Sequence, residues 1–283
     1  MLYDYQDKRQ IYSIDTKLNA AATCFQWINP SASSLLVEAT HKGSVYIWDL
    51  PQLDSHRQPR MVSSFVAFPV FAKIQPDDQS VRSSMVLDWN QESGLLVTAG
   101  TTQLVKVWNM DTEQLVCCKE TNQQVPVISV IPQDVHSYLC CLTNGQILSM
   151  DIRCKEVTSV YSTVLKESRF VNMVRTSQNT IAVGEFAGTL RLIDPRTFGE
   201  ISSCSFLPSM SCIQAHPSMS TMIASSMKSE LLLSNCVGEK LQSICALTGF
   251  RAASLGHLMA VAMHPLDTTV ACYNTNGIVS IFG

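Results

Sequence analysis

The sequence predicts an all-β fold built from repeated four-stranded blades, and three observations carry that prediction. One pattern recurs along the chain: Ser34–Asp49 reads SLLVEATHKGSVYIWD, Leu95–Asn109 reads LLVTAGTTQLVKVWN, Tyr138–Asp151 reads YLCCLTNGQILSMD and Thr180–Asp194 reads TIAVGEFAGTLRLID. Weaker copies lie at Met222–Asn235 and Val270–Phe282. Each copy is an apolar strand, a tight polar turn often carrying Gly, and a second apolar strand ending near Asp or Asn. The copies also keep a spacing. They end at Asp4, Asp49, Asn109, Asp151, Asp194, Asn235 and Phe282, mostly about 40–48 residues apart, which is the period of a WD40-type β-propeller blade. Proline turns then recur at one equivalent position, in Asn29-Pro30, Ile131-Pro132, His216-Pro217 and His264-Pro265. Proline presets a turn and cannot continue a ladder, so these sites confirm the register independently.

The elements follow in order. Innermost strands are predicted at Thr23–Trp27, Met85–Trp89, Val127–Ile131, Val171–Arg175, Cys212–Ala215 and Met259–Met263. The strands after them are apolar without alternation, as expected where both faces of a sheet are covered. Several of their positions hold small residues (Ala39, Ala99, Cys140, Cys141, Gly184, Ala224, Cys272), which suits a sheet squeezed between neighbours. Outer strands are predicted at Gln10–Asp15, Gln114–Glu120, Glu156–Ser162, Glu200–Phe206 and Lys240–Leu247. The turn glycines Gly43, Gly145, Gly188 and Gly277 are predicted to take positive φ. Between Asp49 and Ser84 the connection is longer than elsewhere: residues 51–83 form an inter-blade insert with four prolines and the basic residues Arg57 and Arg60, and Met61–Phe68 serves as its outer strand. The whole chain, 1–283, reads as one propeller domain.

Composition excludes several classes of function. A net charge of −3 provides no attraction to nucleic acid or anionic lipid. The longest apolar run, Phe65–Ala72, is too short to span a bilayer and contains Pro69, so no membrane insertion is expected. The start of the chain lacks the basic and apolar pattern of a secretory signal, and a cytoplasmic protein is expected. The 11 cysteines include no CxxC and read as free buried thiols. No metal ligand set, cofactor motif, Walker loop or GxSxG nucleophile is present. Asp77-Asp78 reads as a solvated turn, Asp88 lacks an acidic partner, and His216 and His264 read as structural groups of their turns. The four tryptophans Trp27, Trp48, Trp89 and Trp108 occupy repeat-equivalent positions and read as packing residues. The chain is therefore expected to be no enzyme.

Several stretches are more specific than the generic repeat: Leu2-Tyr-Asp-Tyr5, Leu35–Trp48, Val86–Leu96 (VLDWNQESGLL), Val105–Trp108, Ile193-Asp-Pro-Arg196, and Gly249-Phe250 ahead of Ala262–Pro265. Through them the whole chain resembles the C-terminal WD propeller of the Raptor family, the regulatory-associated proteins of the TOR kinase. The resemblance implies a seven-bladed pattern whose first blade is incomplete here, the chain being a fragment or truncated product; from the residues alone, six-bladed closure is the alternative. It also implies a scaffold in nutrient-responsive TOR signalling, with the TOR kinase and other complex subunits as protein partners and lysosomal recruitment only as part of that complex. Candidate contact residues are Arg57 and Arg60 in the insert and Phe250 and Arg251 in the last long connection. A second reading, a substrate adaptor of a cullin-type ubiquitin ligase, rests on Asp151-Ile-Arg153 and Asp194-Pro-Arg196.

Overall fold

A computed structural model describes residues 2–4, 9–12, 20–28, 35–51, 57–69, 85–163, 169–228, 230–236, 239–245, 258–276 and 278–282. Every regular element among them is a strand. β1 (Leu2–Asp4) and β2 (Arg9–Tyr12) form an antiparallel pair. Five four-stranded sheets follow among the described residues. The first holds β3 (Ala22–Ile28), β4 (Leu35–Thr40), β5 (Ser44–Asp49) and β6 (Arg60–Val66). The second holds β7 (Met85–Asn90), β8 (Leu95–Gly100), β9 (Leu104–Asn109) and β10 (Gln114–Glu120). The third holds β11 (Val127–Pro132), β12 (Ser137–Leu142), β13 (Gln146–Asp151) and β14 (Val157–Ser162). The fourth holds β15 (Phe170–Arg175), β16 (Ile181–Glu185), β17 (Thr189–Ile193) and β18 (Glu200–Ser205). The fifth holds β19 (Met210–Ala215), β20 (Thr221–Ser226), β21 (Glu230–Asn235) and β22 (Lys240–Cys245). A three-stranded sheet of β23 (Leu258–Met263), β24 (Val270–Asn274) and β25 (Val279–Phe282) comes last.

Strands pair in sequence order within each sheet, so every blade is an up-and-down meander, and the innermost and outer strands sit where the repeat puts them. Six sheets of three or four strands occur among the described residues, so the seven-bladed expectation is corrected and its six-bladed alternative matches. Among the described residues β1 and β2 pair with each other in a separate two-stranded sheet. Contacts divide the chain into two units, Met1–Ser137 with Asp151–Val157, and Tyr138–Met150 with Thr158–Gly283.

Within the first unit, Ile28, Val37, Ala39, Ile47, Phe68, Met85, Leu87, Leu96 and Trp108 form one core. From β3, Ile28 and the partly buried Cys24 join this core, while Phe25 and Trp27 are exposed. Trp27 is 43 % exposed, which corrects its reading as a packing residue; the two-residue period of the strand places it on the uncovered face. Trp48 and Trp108 are buried as expected, and each indole N–H finds an acceptor on the neighbouring strand. Trp48 Nε1 donates to Glu38 at 2.9 Å and Trp108 Nε1 donates to Thr98 Oγ1 at 3.1 Å. Within the second unit, one core joins Ala182, Leu190, Leu192 and Phe206 to Met210, Ile213 and Ala224, and another joins Ile223 and Leu231 to Leu258, Val261 and Cys272. Gly184 shows how close β19 comes to β16: a Cβ there would lie 2.5 Å from Met210 Sδ and 3.2 Å from Ile213, so any side chain at this position requires Met210 to shift.

Two features of the blades were not legible in the repeat. Side chains of innermost strands clip the backbone of the next innermost strand. Asn172 accepts the Ile213 N–H at 2.9 Å and donates to the Ile213 carbonyl at 2.7 Å; Thr23 Oγ1 donates to the Met85 carbonyl at 3.0 Å. These bonds satisfy groups that no strand pairs with. The outer strands also carry a β-bulge at one recurring step, at Val62, Val116, Ile201 and Leu241. Bulges interrupt the outward ladder and twist the edge, which blunts it against addition of another chain.

Glu38 provides a first prediction. It is 3 % exposed, and burial raises its carboxyl above the ordinary value against the lowering effect of the Trp48 N–H. A carboxyl whose folded pKa is raised holds its proton longer in the folded chain, so its ionisation costs stability once the pH passes above the unfolded value. Glu38→Gln keeps the acceptor for Trp48 without the charge. The variant is expected to melt above the native chain at pH 7, with the gain vanishing near pH 4; a lower melting temperature at pH 7 contradicts this account.

Candidate protein-interaction surfaces

His216 and His264 are bonded within and between their proline turns. His216 is fully buried. Its Nδ1 accepts the backbone N–H groups of Ser218 and Met219 at 3.2 and 2.9 Å, so its Nε2 is the donor to the Asp267 carbonyl at 3.1 Å. His264 lies 3.2 Å from Asp267 Oδ1, and the Thr269 side-chain and backbone bonds hold the Asp267 carboxyl below its ordinary value. Asp88 sits on β7 opposite Val97. No group of three or more His, Cys, Asp or Glu residues that could hold a metal occurs among the described residues.

Buried Lys119 and half-buried Lys106 and Arg191 are also committed. Lys119 donates to the carbonyls of Asp151 and Cys154. Lys106 donates to the Ala67 carbonyl at 2.5 Å and lies over the Phe68 ring at 5.0 Å. Arg191 joins Glu185 at 2.5 Å and Glu200 at 2.8 Å, and Tyr161 donates to the same Glu200 oxygen at 2.9 Å. Burial and the Glu200 charge push the Tyr161 hydroxyl up to about 12. Burial works against the Glu200 carboxylate, yet bonds from Arg191, Ser203 and Tyr161 hold it below its usual range.

Cysteines divide by burial. Cys140 and Cys141 are fully buried, and desolvation pushes the Cys140 thiol up to about 12 and the Cys141 thiol further. Cys118 and Cys154 are exposed. Iodoacetamide is expected to label Cys118 and Cys154 in the folded chain and to reach Cys140 and Cys141 only on unfolding, as peptide mapping by mass spectrometry can check.

The expected contact residues are distributed unevenly. Arg57 and Arg60 are both exposed, and Arg60 opens β6 opposite Asp49. Phe250 and Arg251, like Gly277 and Asp77-Asp78, lie outside the described residues. Gly43, Gly145 and Gly188 have φ of 84°, 85° and 104°, as their turns require. Arg153, proposed for a ligase adaptor, is turned back on its own blade: Nε and Nη2 bond both oxygens of Asp151 at 3.0 and 2.7 Å. That pair holds the Asp151 carboxyl well below the usual carboxylate range. Arg196 is exposed, 3.8 Å from Asp194.

No protein-family model matches the chain. Among curated proteins, it is 24 % identical over 264 residues to "Regulatory-associated protein of TOR 1" of Arabidopsis thaliana, covering 90 % of this chain and 19 % of that protein. It is 22 % identical over 301 aligned positions to "Protein raptor homolog" of Dictyostelium discoideum, covering 99 % of this chain and 19 % of that protein. The chain thus spans about a fifth of the length of these relatives. Among solved structures, Chaetomium thermophilum Raptor superimposes with a TM-score of 0.81 at 14 % identity, over 99 % of this chain and 26 % of that one. The β-propeller domain of Myceliophteria thermophila Cps50 (Swd1) gives 0.71 at 15 % identity, over 93 % of this chain and 84 % of that one. The chain is thus similar to Raptor proteins over 90–99 % of its length in sequence, and its fold is that of a WD40-type β-propeller.

Proposed function

We propose that the chain is a non-catalytic scaffold module of a TOR complex, acting in TOR signalling in the cytoplasm by presenting loops from a rigid β framework to the kinase and its other subunits. The observation that carries this reading is the alignment over 90 % and 99 % of the chain with relatives whose names tie them to TOR and raptor. Two features support a binding role over catalysis. Buried His216 is spent on backbone bonds, Glu38 on the Trp48 indole and Glu185 on Arg191, and the insert offers Arg57 and Arg60 to solvent.

A tagged copy of the full chain is expected to co-purify with the TOR kinase from its native cells. Failure to recover the kinase under conditions that preserve its other subunits overturns the assignment. Arg57→Glu combined with Arg60→Glu is expected to weaken recovery at least about fivefold, since charge reversal at a contact sets like charges against each other. Unchanged recovery removes the insert from the contact surface.

A further inference from the structure

The residue that follows the second strand of each blade is repeat-equivalent. It is His41 after β4, Thr101 after β8, Thr143 after β12, Phe186 after β16, Met227 after β20 and Thr275 after β24. Four of the six are polar, so blade geometry does not demand an apolar side chain there. Phe186 and Met227 depart from the pattern, are 40 % and 37 % exposed, and fall in consecutive blades of the second unit.

Hydrogen bonds make their two turns one surface. The Gly188 carbonyl, two residues past Phe186, accepts the N–H groups of Phe206 and Leu207 at 2.7 and 3.2 Å. Ser209, held at φ 57°, presents its carbonyl to the Met227 N–H at 2.9 Å. The segment 206–209 therefore bridges the turns, with Phe206 and Leu207 anchored in the core and Pro208 exposed. The platform is rigid because both its ends are pinned.

Its rim is basic. The Phe186 N–H donates to the carbonyl of exposed Arg169 at 2.8 Å, and exposed Lys228 follows Met227 with its N–H on Ser226 Oγ at 3.0 Å. Among the described residues the adjoining carboxylates are Glu185, buried and paired with Arg191, and Glu230, half-buried at the start of β21; Glu167, two positions before Arg169, lies outside them. Two exposed cations thus flank two exposed apolar side chains, against a chain whose net charge is −3. Aromatic and Met anchors supply affinity through desolvation, and flanking charge selects the partner and speeds encounter.

We propose that Phe186, Pro208 and Met227, rimmed by Arg169 and Lys228, form a docking surface for an acidic segment of a partner protein that presents apolar side chains. This rests on the reading of the chain as a protein-interaction module and names the chemistry of one partner. The test titrates the full chain with a fluorescein-labelled peptide pool that has fixed Leu and Phe positions, randomised spacers and Glu-rich ends. Matched pools carry Lys-rich ends, or Ser in place of Leu and Phe. The acidic apolar pool is expected to bind at least about tenfold more tightly than either control. Phe186→Ser and Met227→Ser are each expected to weaken it at least about fivefold, and Arg169→Glu with Lys228→Glu to abolish the preference for Glu-rich ends. All four side chains are exposed, so unchanged melting temperatures certify the variants as folded. Equal binding of the Glu-rich and Lys-rich pools, full binding by the variants, or binding to phosphatidylserine vesicles in place of peptide overturns the proposal. Loss of kinase recovery with peptide binding intact counts against the TOR assignment alone; the reverse counts against this surface alone.

Discussion

Arg191→Ala is expected to destabilise the chain by about 3–5 kcal/mol, because it strands a buried carboxylate. Glu185 is 2 % exposed, and Arg191 Nε is the ion-pair partner the structure gives it, at 2.5 Å. The same guanidinium holds Glu200 at 2.8 Å, and Glu200 holds Tyr161 of the preceding blade. One substitution therefore unties two strands of its own sheet and the outer strand of another. Thermal denaturation is expected to show a loss of roughly 6 °C or more for a chain of this size. Arg191→Ala with Glu185→Leu is expected to recover part of it, since removing both partners leaves no uncompensated charge. A double variant no better than the single one contradicts the mechanism. The network also has an acid limb. Glu200 has a depressed folded pKa, so its share of stability is present above the unfolded value, near 4.5, and is lost as the pH falls through the folded one.

Gly188→Ala is expected to be nearly as damaging although it adds a single methyl group. At φ 104° a side chain is strained whatever the space around it, and a Cβ would lie 2.8 Å from both Leu207 O and Pro208 Cα. These are backbone atoms of a segment bonded to Gly188 itself, so they cannot turn aside. Backbone strain of about 1–3 kcal/mol adds to overpacking of similar size, for a loss of about 2–5 kcal/mol. Gly184→Ala is the control. Its methyl would meet Met210 Sδ at 2.5 Å, but a thioether at the end of a flexible side chain can swing away, so a loss of only about 1–2 kcal/mol is expected. Equal losses for the two variants would show that local backbone rigidity does not decide the outcome. Because Gly188 underlies the Phe186 turn, its variant also tests whether the docking platform needs that turn intact.

The blades themselves were legible because a strand writes its period and its stops locally. Innermost strands before proline turns, apolar second strands, and Asp or Asn endings each follow from backbone geometry within a few residues. Gly43, Gly145 and Gly188 were readable for the same reason, since only glycine tolerates their φ values at no cost. The burial of Trp48 and Trp108 followed from repeat equivalence, whereas Trp27 did not obey it. Equivalence tells which strand a residue occupies but not whether the face it points to is covered. The blade count was left between seven and six for a related reason, and six matches: β1 and β2 look like blade strands in sequence, yet which strands they pair with is decided by which partners are within reach.

What the sequence by itself determined is the sheet: strand order, turn chemistry, the all-β class and the likeness to Raptor propellers. Only tertiary structure decided how the polar groups are spent. Asn172 clipping Ile213, Lys119 capping the Asp151 turn, and Arg191 between Glu185 and Glu200 all join residues whose partners depend on how strands and blades pack. The same holds for the exposed pair Phe186 and Met227, which are 41 positions apart in the chain and become one surface through the 206–209 bridge. Local periodicity encodes secondary structure because it acts within a strand. Contacts between blades are set by packing, which no window of the sequence contains.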